Sequence, residues 1–255
     1  MRVILISSMK YTHIFFDTET TGNTNDDYLC QIAWKKATDN EIKDGLFKPP
    51  VPMSVESMAV CHITNKMVAN MPPFQGSVLW DEFKKINDDK NNVFIAHNAK
   101  FDIGMLKREN IQITQYIDTL KIARFVDREG ILTKYNLQYL RYYYDVDIDA
   151  IAHDARGDIV ILEAVFKYLS DKVSEITGNT GDKLTEQMMT ISYEPFLMKT
   201  FTFGKHIGKQ ISDVANTDPR YLEWLLEQKV NSQNDTEEDW IYTLRYYLKK
   251  PNKLF

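Results

Sequence analysis

Four carboxylates and one histidine stand in short runs that packing explains poorly. Asp17 and Glu19 lie in Phe15-Phe16-Asp17-Thr18-Glu19-Thr20-Thr21-Gly22, Asp102 closes His97-Asn98-Ala99-Lys100-Phe101-Asp102, and His153 and Asp158 bound His153-Asp154-Ala155-Arg156-Gly157-Asp158. Alternate residues of an extended strand face one side, so Asp17 and Glu19 project together. The two phenylalanines before them point to a buried strand, where paired acids are costly unless a cation binds them. Oxygen ligands of this kind suit Mg²⁺ or Mn²⁺. The pattern reads as a metal-dependent enzyme.

Each residue taken singly has a bland explanation. Asp17 and Glu19 could be solvated acids on an edge strand. Asp102 and Asp158 could be ordinary first-turn acids of their helices. His97 could be a satisfied, partly buried histidine. His153 sits in a polar loop and has no apolar face to occupy. Specificity comes from the joint distribution over a first strand, a later strand-to-helix junction and a final helix.

The elements that must position these residues follow from periodicity. Residues 11–16, 29–36 and 43–47 read as strands of an antiparallel meander, closed by the turn-rich Lys48-Pro49-Pro50-Val51-Pro52. Residues 77–86 are helical, with Leu79, Phe83 and Ile86 along one face. Val93-Phe94-Ile95-Ala96 is a short apolar strand that delivers His97 and Asn98 at its end. A helix over 101–108, a short strand at 116–117 and a helix over 119–126 come next. Asn136 can cap the helix that carries Leu137 and Leu140. The spacing of Ile161, Val165 and Leu169 predicts a helix over 157–169. A meander followed by alternating helix and strand predicts an α/β fold, a mixed five-stranded sheet flanked by helices. In such sheets sites gather at strand ends.

The composition shifts after Leu169. Residues 171–199 read as a linker with one short amphipathic helix around 184–191, and residues 200–255 as a small C-terminal module. There Gly204 and Gly208 bracket a tight turn, giving a hairpin, and Asp218 caps a helix that has Pro219 at its first position. Residues 240–248 form a closing amphipathic helix. Phe203, Tyr221 and Trp224 are the expected miniature core, Trp224 foremost. A unit of this size is small for independent stability.

The bulk numbers exclude several classes. The 255 residues suffice for one large domain plus an appendix. Cys30 and Cys61 are too few for a disulfide framework or a thiolate zinc site, and a reducing, cytoplasmic compartment fits them best. No apolar run approaches the roughly 18 residues of a membrane helix. Residues 1–8 read as an N-terminal extension, from an alternative start upstream of Met9 or as an extra edge strand. The formal net charge of −5 is unusual for a nucleic-acid binder. Two bound divalent ions would offset most of it, and Lys35-Lys36, Lys84-Lys85, Lys199, Lys205 and Lys209 leave local basic clusters.

The three runs resemble the motifs of the DEDDh branch of 3′–5′ exonucleases, DnaQ-like proteins with a ribonuclease H-like fold. The resemblance covers about residues 11–170, so residues 9–170 become the expected exonuclease domain. Residues 53–64 look like the substrate-side loop of that family. The run Phe201-Thr202-Phe203-Gly204-Lys205-His206-Ile207-Gly208-Lys209 is similar to the tail module of the exodeoxyribonuclease X subfamily.

The resemblance implies two-metal phosphodiester hydrolysis with Mg²⁺, Mn²⁺ substituting. Asp17 would bridge both ions, Glu19 and Asp158 complete one site, and Asp102 support the other through water. His153 would be the general base. Thr18, Thr20, His97, Asn98 and Phe101 become candidates for holding the 3′-terminal nucleotide, with a core role for Phe101 an equal alternative. The expected partner is DNA with single-stranded or frayed 3′ ends. Two alternatives stand beside this reading. One is a 3′–5′ exoribonuclease or oligonucleotide hydrolase, since discrimination rests on tolerance of a 2′-OH. The other is a tethering protein that binds nucleic acid through Lys205, Lys209 and Tyr221 of the C-terminal module.

Overall fold

A computed structural model describes residues 10–24, 26–146, 148, 155–232 and 237–249. His153 and the N-terminal extension lie outside the described residues. A single five-stranded sheet, ordered β3-β2-β1-β4-β5, forms the centre. Its strands are β1 (Thr12–Thr20), β2 (Leu29–Lys36), β3 (Lys43–Leu46), β4 (Asn92–Ala96) and β5 (Tyr116–Asp118). The first three pair antiparallel as a meander, and β4 and β5 extend the other side of β1 in parallel.

The sheet is covered on both faces, which is why Val93-Phe94-Ile95-Ala96 is apolar throughout rather than alternating. Ile14, Phe16, Ile32, Trp34, Phe94 and Ala96 pack on one face against Phe83 of α3 (Val78–Asn87) and Leu106 of α4 (Ala99–Arg108). Phe15, Ala33, Val93 and Ile95 pack on the other against α5 (Thr119–Val126) and α7 (Ala155–Thr177). Between β3 and α3 lie two short helices, α1 (Val55–Cys61) and α2 (Asn65–Val68). Caps fall at polar residues: Ser77 accepts from the Trp80 N–H, and Asn136 from the Tyr139 N–H at the start of α6 (Leu137–Tyr143).

The stretch expected as a linker is mostly helix. Helix α7 runs on to Thr177, and α8 (Gly181–Tyr193) follows after a short turn. Met188 and Met189 of α8 enter the main core, and the Ser192 hydroxyl accepts the Asp118 N–H at 2.8 Å. At the other end the Asp182 carboxylate accepts the Lys10 N–H at 2.9 Å. The helix belongs to the main α/β body because it covers the edge of the sheet.

The C-terminal module has its own small core, including Met198, Phe201, Ile211, Leu222, Leu225, Trp240 and Leu244. Its helices are α9 (Ile211–Thr217), α10 (Pro219–Asn231) and α11 (Glu238–Lys249). The hairpin is reduced to one bridge, Thr200 with Gln210, around a 3₁₀ turn at Gly204–His206. Asp218 occupies the position before α10 but makes no side-chain cap. Its carboxylate instead pairs with Lys205 at 2.6 Å and His206 at 3.0 Å. Trp224 is 52% exposed, and Trp240 takes the core place expected for it, stacked on Phe201. Leu222 and Leu225 define the buried side of α10, and helical geometry turns residue 224 away from it. Among the described residues no helix is long and apolar enough to cross a membrane.

Candidate active site

Asp17 and Glu19 leave the end of β1 on the face that α7 covers, because they share the parity of Phe15. The β1–β2 register shifts between Glu19 and Thr20, a bulge beside the acids. Asp158 stands in the first turn of α7, where the helix terminus favours an anion. One carboxylate oxygen from each of Asp17, Glu19 and Asp158 comes within 4.8 Å of the other two. All three residues are half-buried. Three hard oxygen donors so close repel one another and fit a divalent cation such as Mg²⁺ or Mn²⁺.

Gln138, on α6, donates to Asp158 Oδ1 at 2.9 Å and fixes that carboxylate. Nothing local marks Gln138 in the sequence, because the contact joins two helices.

Asp102 stands apart from this triad. It is buried on α4, and its Oδ1 accepts from the Thr18 backbone N–H at 3.1 Å and from the Thr18 hydroxyl at 2.5 Å. Burial pushes its carboxyl up to about 7 against the opposing pull of those hydrogen bonds. Thr18 is thereby committed to Asp102 rather than open to a ligand. Thr20 is also buried, with its hydroxyl on the Gly22 carbonyl at 2.6 Å.

His97 and Asn98 border a different cavity, of about 480 Å³, which no member of the triad lines. The His97 ring uses both nitrogens: Nε2 lies 2.7 Å from the Tyr135 carbonyl and Nδ1 2.9 Å from the Thr119 hydroxyl. A carbonyl only accepts, so Nε2 carries the proton and Nδ1 accepts from Thr119. Burial holds the ring neutral, with its pKa lowered to about 4. His97 therefore ties the end of β4 to the segment before α6. Asn98 adopts φ 64°, a left-handed conformation that Asn tolerates, and its backbone N–H donates to Asp118 Oδ1 at 2.9 Å. The same Asp118 oxygen caps α5 through the Leu120 N–H. Phe101 is half-exposed and outside the core clusters.

The segment expected as a substrate-side loop is anchored to the end of β1, beside the acids. The Ser57 hydroxyl donates to the Thr20 carbonyl, and the Ser54 N–H to the Thr21 carbonyl at 2.9 Å. Cys30 and Cys61 lie buried beneath it, their thiols pushed up by burial and by the Glu19 charge, which makes them poor nucleophiles. In the C-terminal module Lys205 is tied to Asp218 and lies over the Tyr221 ring, while Lys209 is exposed.

Comparison with known proteins bears on this geometry. The family model for exonucleases of the RNase T type matches residues 14–166, and that for exodeoxyribonuclease X-like C-terminal segments matches residues 201–230. The chain is 33% identical over 238 residues to exodeoxyribonuclease 10 of Escherichia coli (strain K12), covering 91% of this chain and 97% of that protein. It is 31% identical over 189 residues to the PolC-type DNA polymerase III of Staphylococcus haemolyticus, covering 70% of this chain and 13% of that much longer protein. Among solved structures, exonuclease X in complex with 5′ overhanging duplex DNA aligns with a TM-score of 0.53 and 25% identity over 71% of this chain and 99% of its own. Escherichia coli exonuclease I in complex with a dT13 oligonucleotide shares the fold, with a TM-score of 0.55 and 17% identity over 66% of this chain and 43% of its own. The sheet is thus the ribonuclease H-like arrangement of these nucleases. With a family model spanning β1 to α7 and a likeness that runs almost end to end, the chain belongs to the RNase T-type exonuclease family, in the group of exodeoxyribonuclease X.

Proposed function

We propose that the protein is a 3′–5′ exodeoxyribonuclease that hydrolyses the terminal phosphodiester of DNA and releases nucleoside 5′-monophosphates. The observation that carries this reading is the convergence of Asp17, Glu19 and Asp158 within 4.8 Å, in a chain similar along its length to an exodeoxyribonuclease. The donor set fits divalent cations such as Mg²⁺ or Mn²⁺, and two such ions would supply charge stabilisation at the attacking and leaving oxygens. Asp17, Glu19 and Asp158 would hold them, and Asp102, steadied by Thr18, would support a second site.

His153 is the proposed general base and accepts a proton from the attacking water. The new bond joins that water oxygen to phosphorus, and the bond to the 3′ oxygen of the penultimate nucleotide breaks. The freed 3′ oxygen takes up a proton and becomes the next terminus. Asn98 and Phe101 remain candidates for holding the terminal nucleotide. Thr18, Thr20 and His97 act by positioning, since their polar groups already have partners. The substrate is a single-stranded or frayed 3′ end, and DNA repair or end trimming is the role that such an activity serves.

A 3′-labelled DNA strand tests this directly. Mg²⁺ should support release of labelled mononucleotide, EDTA should stop it, and the rate should fall as pH drops below roughly 6–7, where an unperturbed histidine protonates. His97 does not produce that fall, because it stays neutral to about pH 4. Mg²⁺-independent cleavage would remove the metal centre from the mechanism. Degradation of a matched RNA strand but not of DNA would reassign the substrate.

A further inference from the structure

A groove of about 730 Å³ runs between α4 and α11, joining the nuclease body to the C-terminal module. Each helix contributes a stripe at i, i+3, i+4 and i+7: Lys100, Ile103, Gly104 and Lys107 from α4, and Glu238, Ile241, Tyr242 and Arg245 from α11. At one end Lys100 and Glu238 form an ion pair across the groove. Lys107 and Arg245, each seven residues further along its own helix, are exposed, and among the described residues neither forms an ion pair. The rest of the lining is largely apolar and aromatic, with Tyr242 44% exposed and Tyr116 half-buried.

From these features we infer that this groove carries the single strand of the DNA substrate upstream of its 3′ end, an inference that rests on the nuclease reading above. Exposed cations beside an accessible tyrosine ring are the chemistry that tracks a phosphate backbone and stacks bases without reading sequence. The groove meets the cavity bordered by Asn98 at the Lys100–Glu238 pair, and α4 also carries Asp102 on its opposite, buried side. One helix therefore presents a metal-site residue inward and a strand-binding stripe outward. Lys100 and Lys107 are separated by about 10 Å along the axis, roughly three nucleotides of a stacked strand. The C-terminal module thus supplies one wall of a substrate track, through α11 rather than through Lys205 or Lys209.

The test uses the full chain carrying Lys107→Glu with Arg245→Glu, the milder Lys107→Gln with Arg245→Gln, and Tyr242→Ala. Cleavage of a long single strand and of a trinucleotide is compared with Mg²⁺ present, and long-strand binding is measured in EDTA across salt concentrations. The ratio of long-strand to trinucleotide kcat/KM should fall at least about tenfold in the charge-reversed variant and less in the neutral one. The slope of log K against log salt should shrink by about 1.4, the release expected for two phosphate contacts on a single strand. Tyr242→Ala should weaken binding without changing that slope. If wild type cleaves both substrates and the charge variants keep its ratio and salt slope, the groove does not hold the strand and the nuclease reading stands. If wild type cleaves neither, the nuclease reading itself falls.

Discussion

An Asp17→Asn variant is expected to lose at least about 100-fold in DNA cleavage rate while its metal-free form melts at a higher temperature than wild type. The two effects share one cause. Asp17, Glu19 and Asp158 bring carboxylate oxygens within 4.8 Å of one another. Unit charges at such a distance repel by between about 0.9 and 3.5 kcal/mol per pair at effective dielectrics from bulk water to a protein surface. Asparagine keeps the shape and removes one charge, so the metal-free fold gains a few degrees in Tm. With cation present the order reverses. Wild type gains about 2.7 kcal/mol at a hundredfold excess over Kd, and the variant, short of one anionic ligand, gains less. Melting curves with and without Mg²⁺, set beside the cleavage rate, separate the two contributions. A variant that cleaves at the wild-type rate would take Asp17 out of the centre. Identical melting shifts on adding Mg²⁺ would show that the triad is not where the ion binds.

The second large effect is expected at Asp239, far from the acids. Asp239 is buried at the start of α11, with the Lys121 ammonium at 3.4 Å and the Arg124 guanidinium at 2.5 Å. The oxygen facing Lys121, Oδ1, also accepts the Phe196 N–H at 2.9 Å. Lys121 also donates to the Glu194 carbonyl at 2.8 Å, so body and module meet in one charged cluster. Asp239→Ala takes the carboxylate from the half-buried Arg124 and leaves the buried Lys121 with Glu238 alone, 3.8 Å away, a loss toward the lower end of about 3–5 kcal/mol. The loss falls on the docking of α11, because the sheet core does not depend on it. Trp240, stacked on Phe201 in the module core, reports the event. Its fluorescence should shift to longer wavelength, and amide exchange should rise across α11 before the sheet opens. Asp239→Asn keeps the Phe196 hydrogen bond and should lie between. A single cooperative transition with unchanged Trp240 emission in Asp239→Ala would mean that the cluster does not secure the module.

How much of this was legible without coordinates depends on the range of the interaction. The parity of Asp17 and Glu19 on β1 follows from the extended backbone alone, and their approach to Asp158 needed only a helix laid on that face. Capping by Asn136 is equally local. Trp224 and Trp240 show the opposite case. Both sit in amphipathic helices of the module, and only the packing of α10 against α11 decided that Trp240 is covered and Trp224 left out. Polar residues were harder still. Thr18, next to two acids, looked like a ligand for substrate, yet its hydroxyl belongs to Asp102, which lies 84 positions away along the chain. His97 looked equally available and is held by Thr119 and Tyr135.

Residues 171–199 illustrate the same limit on a larger scale. Two glycines and many polar side chains favour a linker when read locally. The buried face of α8 became recognisable only against the sheet edge that Met188 and Met189 cover.

By itself the sequence determined the α/β order of elements and the face from which Asp17 and Glu19 emerge, while the five residues of the proposed centre came from the resemblance of three short runs. Backbone geometry sets strand and helix periods residue by residue, so order and face need no partner. The tertiary structure decided which polar groups are already spent on one another, that the module docks through Asp239, and that α4 and α11 enclose a groove. Those outcomes depend on surfaces brought together from distant parts of the chain, where a short polar side chain has several possible partners until packing selects one.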